Sequence, residues 1–393
     1  MFLDTVLARN PALVETATAL HSSGAIPPDT YVLDADTVEA NAALLAAEAR
    51  RLGVSLWFVA KQFGRNPALV RAVARHLPRF AAIDPSEART VRAAGASAGN
   101  LGHLVQIPRR ALPEMLAWRP EAVTVFDLAN ARAVAEAAGR LGLVQDVWVR
   151  VEAAPGDGHP GQEGGVPPAA LDGFAAAVER LPSVRVAGVT GFPCVRCAPE
   201  TGRPAPTATF ERALAARELL GSRGHEGVGL SAPGVTCAAT LPLLARLGAT
   251  HGEPGHALTG TTPLHAADPR QPERPASVYV TEVAHTLSDG RPALFGGGFY
   301  PRAGIRSALL PRTGLRLPVC DAPAEYIDYY RALGRPAPGS GEVRAGDTAV
   351  LAFRTQIFVT RSTVAVVAGL ATGRPRLTGL YDARGRALEG AVS

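Results

Sequence analysis

Leu56-Trp57-Phe58-Val59-Ala60-Lys61-Gln62-Phe63-Gly64-Arg65-Asn66-Pro67 is an apolar, β-favouring run that ends on a lysine and gives way to a helix start at Pro67. Of the 40 lysine and arginine residues in the chain, 39 are arginine, and Lys61 is the only lysine. Either residue type keeps a surface soluble, so the exception at position 61 points to chemistry. Arginine keeps its proton, with a pKa above ~12, whereas a desolvated lysine amine can lose its proton and attack a carbonyl. A single lysine at the end of such a run reads as a Schiff-base lysine.

On either side of this stretch, short apolar runs alternate with helical segments. The strand-like runs are Leu56–Ala60, Phe80–Ile83, Ala98–His103, Ala122–Asp127, Val147–Glu152, Val184–Phe192, Gly227–Ser231 and Thr250–Glu253. Helical patterns fall between them, over 67–77, 86–94, 109–118, 129–141, 168–181, 207–222 and 237–247. Eight such alternations predict an α/β protein built on a (β/α)₈ TIM barrel rather than an open doubly wound sheet. No Gly-x-Gly-x-x-Gly follows any of the runs, so a dinucleotide site has no support.

Before the barrel, residues 1–24 read as helical and break at Gly24 and Pro27-Pro28. Tyr31-Val32-Leu33-Asp34 is a short strand, and Asp36 opens an amphipathic helix through Arg51. After about residue 275 the alternation stops. Val278–Leu287, Ala293–Phe299, Thr348–Thr360 and Ser362–Leu370 read as a C-terminal antiparallel β domain. The expected organisation is a helical extension over 1–29, a barrel over 30–275 and a β domain over 276–393. The Tyr31–Asp34 strand is a candidate to join the β domain, because it precedes the barrel.

The hydrophobic content of 47% and charged content of 19% describe a globular chain. A net charge of +5 would suit an anionic partner, but the arginines are dispersed without a basic run, which argues against nucleic acid. No apolar run approaches ~20 residues, so no membrane span is expected. Residues 1–24 carry Asp4, Arg9 and Glu15 and do not read as a signal peptide. Four cysteines make no disulfide framework. A cytoplasmic location follows as the default.

Chemistry in a barrel sits at the C-terminal ends of strands, where Lys61 falls. The loop after the seventh run, Ser231-Ala-Pro-Gly234-Val-Thr236, offers hydroxyls and a glycine ahead of a helix, which suits a phosphate as well as a plain helix cap. After the eighth run comes Glu253-Pro254-Gly255-His256. Glu253 can hold a pyridinium N–H or pair with one of the many arginines.

Asp34-Ala35-Asp36 with Asn41, Val59-Ala60-Lys61-Gln62 with Asn66-Pro67, and Glu253-Pro254-Gly255 resemble the alanine-racemase-type (fold type III) pyridoxal-phosphate enzymes. Asn100–Gln106, His159–Gly165, Glu253–Ala266 and Ala352–Arg361 are similar to its YhfX-type branch, and the resemblance spans about residues 30 to 370. It implies pyridoxal 5'-phosphate on Lys61, a C-terminal β domain and a head-to-tail homodimer that completes each site. Alanine racemases proper set an arginine against the ring nitrogen. The decarboxylases of the fold use the glutamate of a Glu-Pro-Gly motif, which Glu253 matches. No His-x-Cys or His-x-Asp follows His285, so the zinc pair of the aldolase and dehydratase relatives is not expected.

The resemblance implies further residues. His103 is either a cofactor-contacting group or a core histidine, with Ser231, Gly234, Thr236, Gly255 and His256 as companions around the cofactor. Cys194 is either a group against the ring face or a small buried hydrophobe, and Gln162 and Glu163 fall in a ring-contacting loop. Arg354, Gln356 and Arg361 alternate along one predicted strand, where Arg354 or Arg361 either clamps a substrate carboxylate or keeps an edge strand soluble. Tyr300 and Tyr329 are either acid/base or phosphate-binding phenols or ordinary packing residues. The expected function is racemisation of an amino acid, with Lys61 and Tyr300 or Cys194 exchanging the α-proton. A decarboxylase of the same fold and a non-catalytic cofactor carrier remain alternatives.

Overall fold

The computed structural model describes residues 2–198, 202–302, 305–323 and 325–388. The chain divides into two compact units: Ala42–Ala60 with Val73–Gly255, and Met1–Asn41 with Lys61–Ala72 and His256–Ser393.

The first unit is a barrel of eight strands, Ser55–Leu56, Arg79–Ala82, Ser97–Leu101, Ala122–Val125, Gln145–Arg150, Val184–Thr190, Gly229–Ser231 and His251–Gly252. Neighbours in the sequence are parallel neighbours in the sheet, the last strand pairs with the first, and a bridge between Phe58 and Phe80 completes the ring. Each run read from the sequence holds a strand, the first and last shortened to Ser55–Leu56 and His251–Gly252. Asp84, Asp127 and Thr207 accept from the backbone amides of Glu87, Asn130 and Phe210, and so fix the starts of Pro85–Ala93, Leu128–Arg140 and Ala208–Ser222. Trp57 and Trp148 fill the interior edge to face, 5.0 Å apart. A β-carbon on Gly99 would overlap Trp57, and one on Gly188 or Gly229 would overlap Trp148. At the N-terminal end, Glu121 accepts from Trp57 Nε1 at 3.1 Å and pairs with Arg79 at 2.9 Å, which seals that end of the barrel. The working groups are therefore sought at the opposite end.

In the second unit, Ser277–Thr286 lies between Thr30–Asp34 and Thr348–Leu351, antiparallel to both. Thr30–Asp34 also runs parallel to Thr363–Ala368, which turns back into antiparallel Arg376–Asp382. The Tyr31–Asp34 strand thus belongs to this sheet. Helices Phe2–Arg9 and Pro11–Ser22 bury Val6, Leu13, Val14 and Ala17 in one core with Val32, Val278, Val280, Val350 and Ala365. The expected strand Thr348–Thr360 stops at Leu351. Beyond it Arg354 and Thr355 bond to the segment Tyr300–Arg302, and Ile357–Val359 coils into a 3-10 turn. The alternation of Arg354, Gln356 and Arg361 along a strand is therefore corrected.

Asp29, just ahead of the Thr30–Asp34 strand, is 8% exposed and holds φ at +60°, a conformation rare for residues with a side chain. Burial raises its carboxyl from an ordinary 3.8 to about 6, against bonds from Ser362 and Tyr279 that favour the anion. An acid whose pKa is raised by folding binds its proton more tightly in the native state. Stability therefore falls as pH rises from about 4 to 6, and by about 3 kcal/mol in total. Asparagine tolerates the same φ and carries no charge. Asp29→Asn is expected to flatten this window and to raise the urea midpoint relative to wild type above pH 6 but not below pH 4. An equal difference at both pH values would contradict the assignment.

Candidate active site

Glu253 follows the eighth barrel strand and is 5% exposed. Its Oε1 accepts from Ser231 Oγ at 3.0 Å, and its Oε2 faces His103 Nδ1. Its backbone N–H donates to Thr236 Oγ1 at 3.3 Å. Ser231 and His103 are thus brought together on one buried carboxylate, with Thr236 on the backbone of the same residue.

The loop after the seventh strand differs from expectation. Its helix spans Leu241–Arg246 rather than starting near Cys237. Thr240 Oγ1 accepts from the Cys237 amide and donates to the Val235 carbonyl, which holds a turn in place of the first helical bonds. The missing β-carbon of Gly234 makes room for the Val195 backbone. Gly255 is buried at the end of the Glu253-Pro254-Gly255 run.

Arg150, the last residue of the fifth strand, is fully buried, and sequence reasoning did not single it out. Its guanidinium lies 5.6 Å from the Phe126 ring centre and 5.9 Å from that of Phe192, and Nη2 donates to the Gln162 carbonyl at 3.4 Å. Nε and Nη1 have no hydrogen-bond partner among the described residues. Burial lowers its pKa, while Cys194 and Glu253 act in the opposite sense. A buried cation with two open N–H groups at the catalytic end of a barrel strand is a site for an acceptor oxygen. Its signal was parity, because Trp148 points into the barrel and position 150 shares its face. Asn100, on the third strand, is likewise fully buried, with Oδ1 taken by Thr124 and Nδ2 without a partner among the described residues. Gln162 is partly exposed, and its Oε1 has no partner among them.

Cys194 is fully buried, its thiol donates to the Gly191 carbonyl at 3.4 Å, and burial pushes its pKa up to about 12. It keeps its proton at neutral pH and cannot serve as a base there. Iodoacetamide on the folded protein at pH 8 is expected to spare Cys194 and Cys237, which are buried, while alkylating Cys197 and Cys320, as peptide mapping will show. Native alkylation of Cys194 would contradict this environment.

In the second unit, Lys61 begins the 3-10 turn Lys61–Phe63 and is 7% exposed. This turn packs on Ile357–Val359. His256 is 9% exposed, with Nδ1 at 3.2 Å from Thr261 Oγ1 and Nε2 without a partner among the described residues. Burial first, then the charges of Arg354, Lys61 and Arg302, hold its pKa well below the usual range, so His256 is neutral. Arg354, Lys61 and Arg302 thus lie near one uncharged imidazole in this unit.

Tyr300 is 39% exposed, its carbonyl accepts from Thr355 Oγ1 at 2.8 Å, and Arg302 Nη1 reaches its phenol oxygen at 3.5 Å. Arg354 Nη1 donates to the Arg302 carbonyl at 3.3 Å. Gln356 only leads into the 3-10 turn, Arg361 bonds the backbone of Gly297 and Asp328, and Tyr329 is exposed. Among the described residues, no group of three or more His, Cys, Asp or Glu is arranged to hold a metal ion, and no helix is long and apolar enough to cross a membrane.

Comparison with known proteins bears on this arrangement. Residues 33–263 match the model of the alanine racemase N-terminal domain, and residues 278–377 that of the YhfX-like C-terminal domain. The chain is 37% identical over 397 residues to "Uncharacterized protein YhfX" of Escherichia coli (strain K12), which covers 99% of this chain and 100% of that protein. The fold is similar to that of D-threonine aldolase from Filomicrobium marinum, with a TM-score of 0.64, 18% identity and coverage of 91% of this chain and 95% of that one. For alanine racemase from Corynebacterium glutamicum the values are 0.61, 18%, 83% and 90%. For D-threo-3-hydroxyaspartate dehydratase from Delftia sp. HT23 they are 0.64, 20%, 89% and 96%.

Proposed function

The chain belongs to the alanine racemase N-terminal domain family of fold type III enzymes, and from that premise we propose that it is a pyridoxal-phosphate-dependent amino-acid racemase. The observation that carries the proposal is Lys61, the sole lysine, buried at the turn that follows the first barrel run. Pyridoxal phosphate supplies an electron sink that acidifies the α-hydrogen of an amino acid joined to it.

The residues fit such a group. In the barrel, Arg150 Nε and Nη1 and Asn100 Nδ2 are buried donors without partners among the described residues, and Glu253 is a buried carboxylate that would suit a ring N–H. In the other unit, Arg302 and Arg354 suit an anionic oxygen, and neutral His256 supplies Nε2. Lys61 would anchor the cofactor through Nζ and, once displaced by substrate amine, take the α-proton on its face. Tyr300 would return a proton on the other face through its hydroxyl, with Arg302 as its neighbour.

The enzyme is proposed to act in the cytoplasm as a head-to-tail homodimer. In support, the second unit exposes Phe295, Ile327, Tyr329, Tyr330 and Val359. Decarboxylation is the second reading, supported by the Glu253-Pro254-Gly255 run, which resembles the motif of the fold's decarboxylases. The test is incubation with pyridoxal phosphate and each common amino acid in D₂O. Deuterium at Cα with loss of optical rotation is expected for one or more of them. Release of carbon dioxide would assign a decarboxylase, and binding with no exchange on any amino acid would leave a carrier.

A further inference from the structure

The loop Gly296-Gly297-Gly298-Phe299 delivers Tyr300, and two carboxylates hold it. Asp328 Oδ2 accepts from the Gly297 amide at 2.8 Å and from the Phe299 amide at 2.9 Å. On the other side lies Asp29. Its Oδ1 accepts from Ser362 Oγ at 2.6 Å and from Tyr279 OH at 2.9 Å. Its Oδ2 occupies the space that a β-carbon on Gly297 would need. Tyr31 OH donates to the Gly298 carbonyl, and Arg361 donates its amide to the Gly297 carbonyl at 3.2 Å. Every residue of the loop ahead of Tyr300 is thus bonded to, or packed on, a group that answers to these carboxylates.

Asp29 is the costly member of this set. It combines burial, a left-handed backbone conformation and a like charge at Asp328, offset in part by Arg361. The charged and titratable groups that face it are Asp328, Arg361, Tyr279 and Tyr31, and both tyrosine hydroxyls are pushed up by burial and keep their protons. Asparagine would satisfy the same backbone angle and the same two O–H donors without a buried charge. Retained strain of this kind marks a functional constraint more often than a packing need.

We propose that Asp29 and Asp328 form a carboxylate clamp that positions the Tyr300 loop, and that the ionised form of Asp29 is the one that holds it in its working position. The inference rests on the role given above to Tyr300. With Asp29 charged, the Ser362 and Tyr279 hydroxyls converge on Oδ1 and fix the carboxylate, whose Oδ2 lies beneath Gly297. With Asp29 protonated, both bonds weaken and the loop loses that support. Asp29 is a positioning residue, since it acts on the proton transfer only through the loop.

The test places 3-fluorotyrosine at position 300 of the cofactor-loaded full chain and follows its fluorine resonance from pH 5 to 7.5. A shift with its midpoint near 6 is expected, and it should vanish in Asp29→Asn. If that variant fails to fold, Ser362→Ala serves instead. It removes a donor that favours the anion, so the midpoint should move to higher pH. No shift, or one unchanged in these variants, overturns the clamp. Tyr300→Phe, assayed separately for Cα exchange, tests the role of Tyr300 itself. Full exchange in Tyr300→Phe sinks that role, whereas lost exchange alongside an Asp29-independent resonance sinks only the clamp. If both stand, Asp29→Asn should lower kcat about tenfold at pH 8 with KM unchanged, and should abolish the fall of kcat below pH 6.

Discussion

Lys61→Ala is expected to remove both the visible absorbance of the bound cofactor and Cα exchange, the latter by about 10⁴-fold or more, since one amine would anchor and carry the proton. Lys61→Arg sharpens the result. It keeps the positive charge and nearly the length of the side chain, and Arg has no amine that can be deprotonated at working pH. Equal loss in both variants assigns the effect to amine chemistry. Recovery of exchange in the arginine variant would reduce Lys61 to a counter-charge. Because no other lysine exists in the chain, no neighbour can substitute for it.

Glu253→Gln should leave the cofactor bound and lower Cα exchange by about 10²- to 10³-fold, the scale seen when a preorganised group at a developing charge is lost. The substitution keeps the side-chain shape between Ser231 and His103, removes the charge and turns one acceptor oxygen into an amide donor. A carboxylate there would favour a protonated ring nitrogen, and with it a deep electron sink. Exchange rates and cofactor absorbance, read on the same sample, separate a loss of chemistry from a loss of binding. A variant that exchanges within about twofold of wild type would mean that the ring nitrogen has no need of Glu253.

The barrel was legible because its signals are local. Each parallel strand is a short apolar run, and Asp84, Asp127 and Thr207 mark helix starts that bond as the sequence suggests. Lys61 and Glu253 stood out for composition and motif. Arg150 and Asn100 were missed because each is one polar residue inside or ending an apolar run, and only the inward parity set by Trp148 distinguishes Arg150 from a surface arginine. The β sheet was less legible. Thr30–Asp34 sits between strands some 250 and 330 residues away, and no local pattern encodes that pairing. Thr348–Thr360 alternates like one strand, yet beyond Leu351 the bonds of Arg354 and Thr355 to the Tyr300 segment take precedence over the ladder. The turn at Cys237–Thr240 likewise reflects a threonine hydroxyl competing for backbone groups that a helix would have used.

The most direct test of the central claim is borohydride reduction of the pyridoxal-phosphate-loaded protein, followed by proteolysis and mass spectrometry. A phosphopyridoxyl group is expected on one peptide, the one containing Lys61, with the α-amine of the chain unmodified. A protein that carries no label after reduction, or carries it only at the chain terminus, would contradict the account.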